Sequence, residues 1–162
     1  MDIYVSYFYN VRFLSTNAIP LSTAKWDPAW FHENQASSHI FVDKRGVTLG
    51  LRCKHLVLDE FRWNRLLADG CQCRPDCQQP RDGTCRFMQE YLEQLHEYYP
   101  NGPLDLLESL EKTADIWRSY GEDPFIVLLV HEDPSAECSE RVGLQKWFKE
   151  YGMELPEWKK DL

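Results

Sequence analysis

No apolar run in this chain exceeds six residues, Phe125 to Val130, whereas a helix crossing a bilayer needs about 20. The opening Met1-Asp2-Ile3 contains an acid and none of the basic residues that begin a secretory leader. Basic residues are in the minority: 18 Lys and Arg face 26 Asp and Glu, a net charge of −8. Such a chain repels phosphate backbones at long range, which argues against general DNA binding. No internal repeat or low-complexity tract runs through its 162 residues, which excludes solenoid and fibrous architectures. Against these absences, 43% of the residues are apolar and 14% aromatic, too many for a disordered tail. A domain of this length buries roughly two-thirds of the surface of its unfolded chain. The expectation is one soluble, cytoplasmic domain over residues 1–162, with no membrane partner.

The charge is unevenly placed. Residues 101–162 hold 7 basic and 14 acidic groups, so they supply −7 of the total. The stretch from Lys44 to Arg86 reverses the sign, with nine basic against five acidic residues. Either this is a solvated loop surface or it is a rim facing an anion.

Short β-branched and aromatic runs predict strands at Asp2–Tyr9 and Ala18–Thr23, the latter at an edge or a strand start because of Pro20. Asp27 followed by Pro28 reads as a helix opening. His39–Asp43 and Val47–Leu51 flank Lys44-Arg-Gly46, a hairpin pattern. Helical spacing runs through Phe87, Tyr91, Leu92, Leu95 and Tyr98, and again through Leu104, Leu107, Leu110, Ala114 and Trp117. Pro124–His131 is continuous apolar chain of strand length, the habit of a central parallel strand. A last amphipathic helix runs from Val142 to Tyr151. The predicted fold is α/β: a small Rossmann-like, mainly parallel sheet flanked by helices. Residues 44–86 form a basic, Cys-rich insertion within it.

Ligands of open α/β sheets bind beyond the carboxyl ends of the strands, which singles out the loop after the most buried strand. Within it, His131, Glu132, Cys138 and Arg141 stand close together in sequence. Each has an ordinary reading as well as a chemical one. Glu132 either caps the next helix or acts as a general base or hydroxyl acceptor. Cys138 is a small core residue or a thiol activated by the helix N-terminus. Arg141 pairs with Glu137 one turn back or clamps a phosphate or carboxylate. His131 is a satisfied histidine or a ligand contact. The first strand would bring Tyr7, Tyr9, Asn10 and Arg12 to the same edge, and the second Ser22, Thr23 and Lys25. Hydroxyls, an amide and cations around aromatic rings suit a nucleoside-like anion, although core and turn packing would also account for them.

Four of the six cysteines, Cys71, Cys73, Cys77 and Cys85, fall within fifteen residues that have almost no aliphatic side chain. In a reducing compartment, thiolate metal binding competes with free thiols as their use. A structural zinc held by these four is the expectation, because tetrahedral zinc takes four soft ligands from short loops.

Leu128, Leu129, Glu132, Pro134, Cys138 and Trp147 resemble the closing motif of the uncharacterised bacterial and phage family known as domain of unknown function 488. Ile3-Tyr-Val-Ser-Tyr-Phe8, Ile19–Lys25 and Pro28-x-Trp-Phe31 are similar to that family's opening. Val130 stands where the family has a cysteine, and Ser139-Glu140 where it has a histidine. The resemblance implies the same fold and site location, with Glu132 rather than Cys138 as the group that matters. A phage relative of this kind would act on a host signalling nucleotide.

Three readings of function follow. The first is binding, with or without turnover, of a nucleotide-like anion in a strand-end pocket. The second is nucleic-acid processing through the basic insertion. The third is a protein-interaction module using exposed tryptophans.

Overall fold

The computed structural model describes residues 1–28, 31–33, 41–42, 48–71, 84–136 and 138–160. Its strands are β1 (Ile3–Tyr7), β2 (Ala18–Ser22), β3 (His32–Glu33), β4 (Phe41–Val42), β5 (Thr48–Arg52) and β6 (Phe125–Val130). The helices are α1 (Glu60–Ala68), α2 (Arg86–Tyr98), α3 (Pro103–Ser119) and α4 (Glu140–Glu150), with 3-10 turns at Phe8–Phe13 and Lys54–Leu56. The strands order as β1-β6-β2-β5-β3, and β4 lies antiparallel on β5. The other pairings are parallel. The α/β class and the flanking helices agree with the sequence reading, and so does the hairpin formed by β4 and β5.

The two faces of β6 explain why its sequence is apolar throughout. Side chains alternate across a strand. Ile126 and Leu128 enter the larger core with Ile3, Val5, Ile19, Leu21 and residues from all four helices. Val127 and Leu129 enter a smaller core with Phe8, Val11, Ala24, Phe31 and Trp158. The helices therefore cover one face, and the other is sealed by the turn after β1 and by the C-terminal tail. That tail is fastened to β1 by Val5 N–H to Pro156 O (3.0 Å) and Trp158 N–H to Val5 O (2.8 Å).

The expected helix opening at Asp27–Pro28 is absent among the described residues. Asp27 instead accepts the Ser22 hydroxyl and pairs with Arg52 at 2.9 Å. An additional helix, α1, begins at Asp59, whose carboxylate accepts the Arg62 N–H. Register brings the carboxyl ends of four strands into one row: Tyr7 lies opposite Val130, and Ser22 lies opposite both Leu129 and Arg52. Among the described residues, no helix is long and apolar enough to cross a membrane.

Candidate functional site

The row of strand ends is held by polar groups that the fold itself consumes. Thr23 closes β2 on β6 by giving its hydroxyl and its N–H to Leu129 O, at 2.9 and 3.0 Å. Ser22 receives the Ala24 N–H at 3.2 Å. Arg52, at the end of β5, donates to Ala24 O (2.6 Å) and Lys25 O (3.1 Å) while pairing with Asp27. His131 contacts Trp26 O through Nε2 and packs on the Phe8 ring, centroids 4.9 Å apart. The 23–27 loop is thus pinned from both sides. Lys25 is left with its ammonium 5.7 Å from the Trp26 ring and 5.8 Å from the Trp63 ring.

The opposite wall is set by α2. Gln94, fully buried, donates to His55 O (3.0 Å) and Val57 O (2.7 Å) and accepts the Asp59 N–H (2.8 Å). The Tyr91 hydroxyl donates to Leu56 O at 2.5 Å. These bonds fix the connector between β5 and α1 and therefore the side chains it presents. Between connector and loop lies a pocket of about 410 Å³. Lys25, Arg52, Lys54, His55, Asp59, Glu60 and Tyr98 are among the residues that line it, so cations and acids share its surface. His55 and Tyr98 rings lie 4.3 Å apart. Lys25 and Lys54 have no ion pair among the described residues, in contrast to Arg52.

The turn between β6 and α4 is organised differently. Arg141 is buried, with 3% of its surface exposed. It donates to Glu132 O (2.7 Å) and Asp133 O (2.8 Å), and it pairs with Glu157 of the C-terminal tail. Among the described residues, one Nη of Arg141 and one carboxylate oxygen of Glu132 are buried without a hydrogen-bond partner. Ser139 caps α4 by accepting the Arg141 N–H. Burial, with smaller contributions from the nearby Glu132 and Cys138 and against the pull of Arg141, pushes the Glu140 carboxyl up to about 8. Glu157 is also raised, because burial outweighs the Arg141 charge. A carboxyl that stays protonated near neutrality can donate a hydrogen bond or a proton.

Of the residues expected at the site, only Lys25 lines the pocket. Tyr7 and Tyr9 stack at 5.8 Å on the β1 side of the row, and the guanidinium of Arg12 lies over the Tyr9 ring at 4.3 Å. Asn10 donates to Ser6 Oγ at 3.0 Å. Ser22, Thr23 and His131 bind the fold as described above, and Glu132, Cys138 and Arg141 belong to the β6–α4 turn. Sequence reasoning held Lys54 only within the basic stretch and did not place His55, Tyr98 or Glu140 at this edge. For Lys54 and His55 the placing fact is the pairing of β5 with β2, which no local pattern displays.

The zinc expectation is corrected. Among the described residues, no three His, Cys, Asp or Glu side chains are grouped to hold a metal ion. Cys71 and Cys85 are buried free thiols inside the larger hydrophobic core, with Cys138 packed against it. There they pack as small apolar side chains. Burial raises the Cys85 thiol above its ordinary range, and the neighbouring Cys138 and Cys71 add to the shift. Cys73 and Cys77 lie outside the described residues. Comparison of the chain with family models, with curated proteins and with solved structures gives no match.

Proposed function

We propose that this protein binds a nucleotide-like anionic small molecule at the carboxyl edge of its sheet, in the pocket between the 23–27 loop and the β5–α1 connector. The observation that carries the reading is the polarity of that pocket. Lys25, Lys54 and His55 line it together with Asp59 and Glu60, and Tyr98 supplies a ring. A simple inorganic anion would be repelled by the two acids. A nucleotide uses both kinds of group: its phosphate meets the lysines, its ribose hydroxyls donate to a carboxylate, and its base stacks on an aromatic ring. The volume suits a mononucleotide better than a dinucleotide. We further propose a cytoplasmic setting and distant kinship with the domain of unknown function 488 family. Both rest on the sequence features given above, and that kinship is what links the ligand to a host signalling nucleotide.

The test is calorimetric titration with ADP, comparing the natural chain with a Lys25→Ala/Lys54→Ala double variant. Affinity should fall at least about tenfold in the variant, a loss within the range for charged hydrogen bonds. Salt should weaken binding only mildly, since one small ligand neutralises few charges compared with a polynucleotide. Equal affinity in the two proteins, or no heat with ADP, AMP or cyclic AMP, would overturn the reading.

A further inference from the structure

Two thiols from distant parts of the chain stand together where α2 and α4 begin. Cys85, 6% exposed, directly precedes α2, and half-buried Cys138 stands one residue before Ser139, the cap of α4. Their side chains are within hydrogen-bonding reach of each other. Cys71, buried at the end of the α1 segment, lies close enough to act on the Cys85 thiol as well. Cys71 and Cys85 belong to the larger core, and Cys138 packs against it.

The backbone keeps the two helix starts in place. Gly143 of α4 faces α2 so closely that a Cβ there would stand 3.5 Å from Met88 Sδ and 3.8 Å from the Tyr91 ring. Cys85 O accepts the Gln89 N–H at 3.0 Å, and Ser139 accepts the Arg141 N–H at 3.1 Å. Both cysteines themselves stand in bends outside the helices. Closing to the ~2.05 Å of a disulfide therefore asks for side-chain rotation and a small loop shift, without unwinding a helix.

The two thiols differ in what they can do. Cys138 reaches solvent and precedes a helix N-terminus, which favours the thiolate. The neighbouring Glu140, kept largely protonated at neutrality by its burial, withholds its negative charge from that thiolate. Cys85 is closed off, and burial keeps it a thiol. Cys53, by contrast, is turned to the Tyr99 hydroxyl at 4.0 Å.

We infer that Cys138 and Cys85 form a reversible, peroxide-dependent disulfide, which makes the junction of α2 with the β6–α4 turn a redox modification site. The Cys138 thiolate attacks hydrogen peroxide and breaks its O–O bond. One oxygen leaves as water with the proton the thiol had released, and the other stays on sulfur as a sulfenic acid. The Cys85 sulfur then attacks the Cys138 sulfur, and the hydroxyl departs with the Cys85 proton as a second water. Two thiols are oxidised by two electrons, and one peroxide is reduced to two waters. The inference does not depend on the anion pocket, which neither cysteine lines.

The probe is hydrogen peroxide, added to the reduced natural chain, followed by alkylation and tryptic mapping by mass spectrometry without reductant. Arg81, Arg86, Arg118 and Arg141 place each of the two cysteines in a peptide with no other cysteine, so the pairing is read directly. One crosslinked pair of peptides joining Cys85 to Cys138 is expected, with dithiothreitol restoring both thiols. In a Cys85→Ala variant dimedone should label Cys138, since the sulfenic acid has lost its resolving thiol. A Cys138→Ser variant should oxidise at Cys85 at least about tenfold more slowly, because a buried thiol is inert by itself. The mapping on the natural chain decides the question even if a variant fails to fold. The proposal fails if both thiols stay reduced, if peroxide joins any other pair, if Cys138 proceeds to sulfinic acid without a crosslink, or if the crosslink forms faster in denaturant than in the folded chain.

Discussion

The seam between α1 and α2 and the pocket at the end of β5 both draw on the basic stretch between Lys44 and Arg86, yet they use it in opposite ways. In the seam every described arginine is matched. Arg62, nearly buried, reaches Glu90 at 3.0 Å and Glu97 at 2.5 Å, with Glu93 and Asp59 slightly farther. Arg65 joins Glu90 at 2.6 Å, and Arg86 joins Asp69 at 2.5 Å. Burial alone would raise the Glu90 carboxyl, but the bonds from Arg65 and Arg62 outweigh it and hold it below the usual range. In the pocket, Lys54 and the neighbouring Lys25 have no such partners among the described residues. The planar guanidinium fork serves fixed, desolvated pairs, whereas a lysine on a rim stays hydrated and available. Counting cations along the chain therefore says little about which of them face a ligand.

The largest expected effect tests the seam. Arg62→Ala leaves the buried Glu90 carboxylate short of a main partner, and breaking a buried pair from one side costs about 3–5 kcal/mol. Arg65 remains, which favours the lower end of that range. Chemical denaturation would measure the change. A loss below about 1 kcal/mol would place the seam with ordinary exposed ion pairs and remove its contrast with the pocket.

Gln94 ties the two regions together, because a side chain of α2 fixes the pocket's connector. Gln94→Ala leaves the His55 and Val57 carbonyls and the Asp59 N–H, all partly buried, without this partner, a penalty of about 1–3 kcal/mol. It should also weaken ADP binding, although Gln94 does not line the cavity. Denaturation and calorimetry on the same variant separate the two effects. Lost stability with unchanged affinity would mean that the connector keeps its shape without this clamp.

What could be read in advance follows the range of the forces involved. β6 announced itself because burial on both faces requires an unbroken apolar run. Likewise, α2 and α3 were legible because each turns one apolar stripe to the core and stops at a glycine or proline signal. By contrast, α1 escaped because its inward positions include Arg62, whose partner Glu90 lies 28 residues away; an arginine facing inward breaks the apolar period. The capping Asp59 with Glu60 behind it was the available local clue. Asp27 misled for the same reason in reverse: its capping chemistry was real, but its partner Arg52 comes from another strand. Arg52 and the residues just after it owe their place in the pocket to the register of β5 on β2, a tertiary fact. Lys25 was legible as a residue of this edge because it stands three positions beyond the end of β2.

The last expected effect is set by pH and sharpens the comparison from the β6–α4 turn, where a carboxyl rather than an arginine is desolvated. Glu140 titrates near its ordinary value of 4.5 in the unfolded chain and at about 8 in the folded one. Between those values the folded state holds a proton that the unfolded state has released. Stability contributed at this position therefore falls as pH rises from about 4.5 to about 8, and is level outside that window. Glutamine copies the protonated carboxyl, so Glu140→Gln should scarcely change stability below about pH 4. As pH rises the variant should become progressively more stable than the natural chain, with the gap level above about pH 8. Denaturation curves of both proteins across that range give the difference directly. A constant gap at all pH values would mean that the Glu140 carboxyl is solvated and ionises normally, so that Glu132 would face a charge across the turn rather than a proton donor.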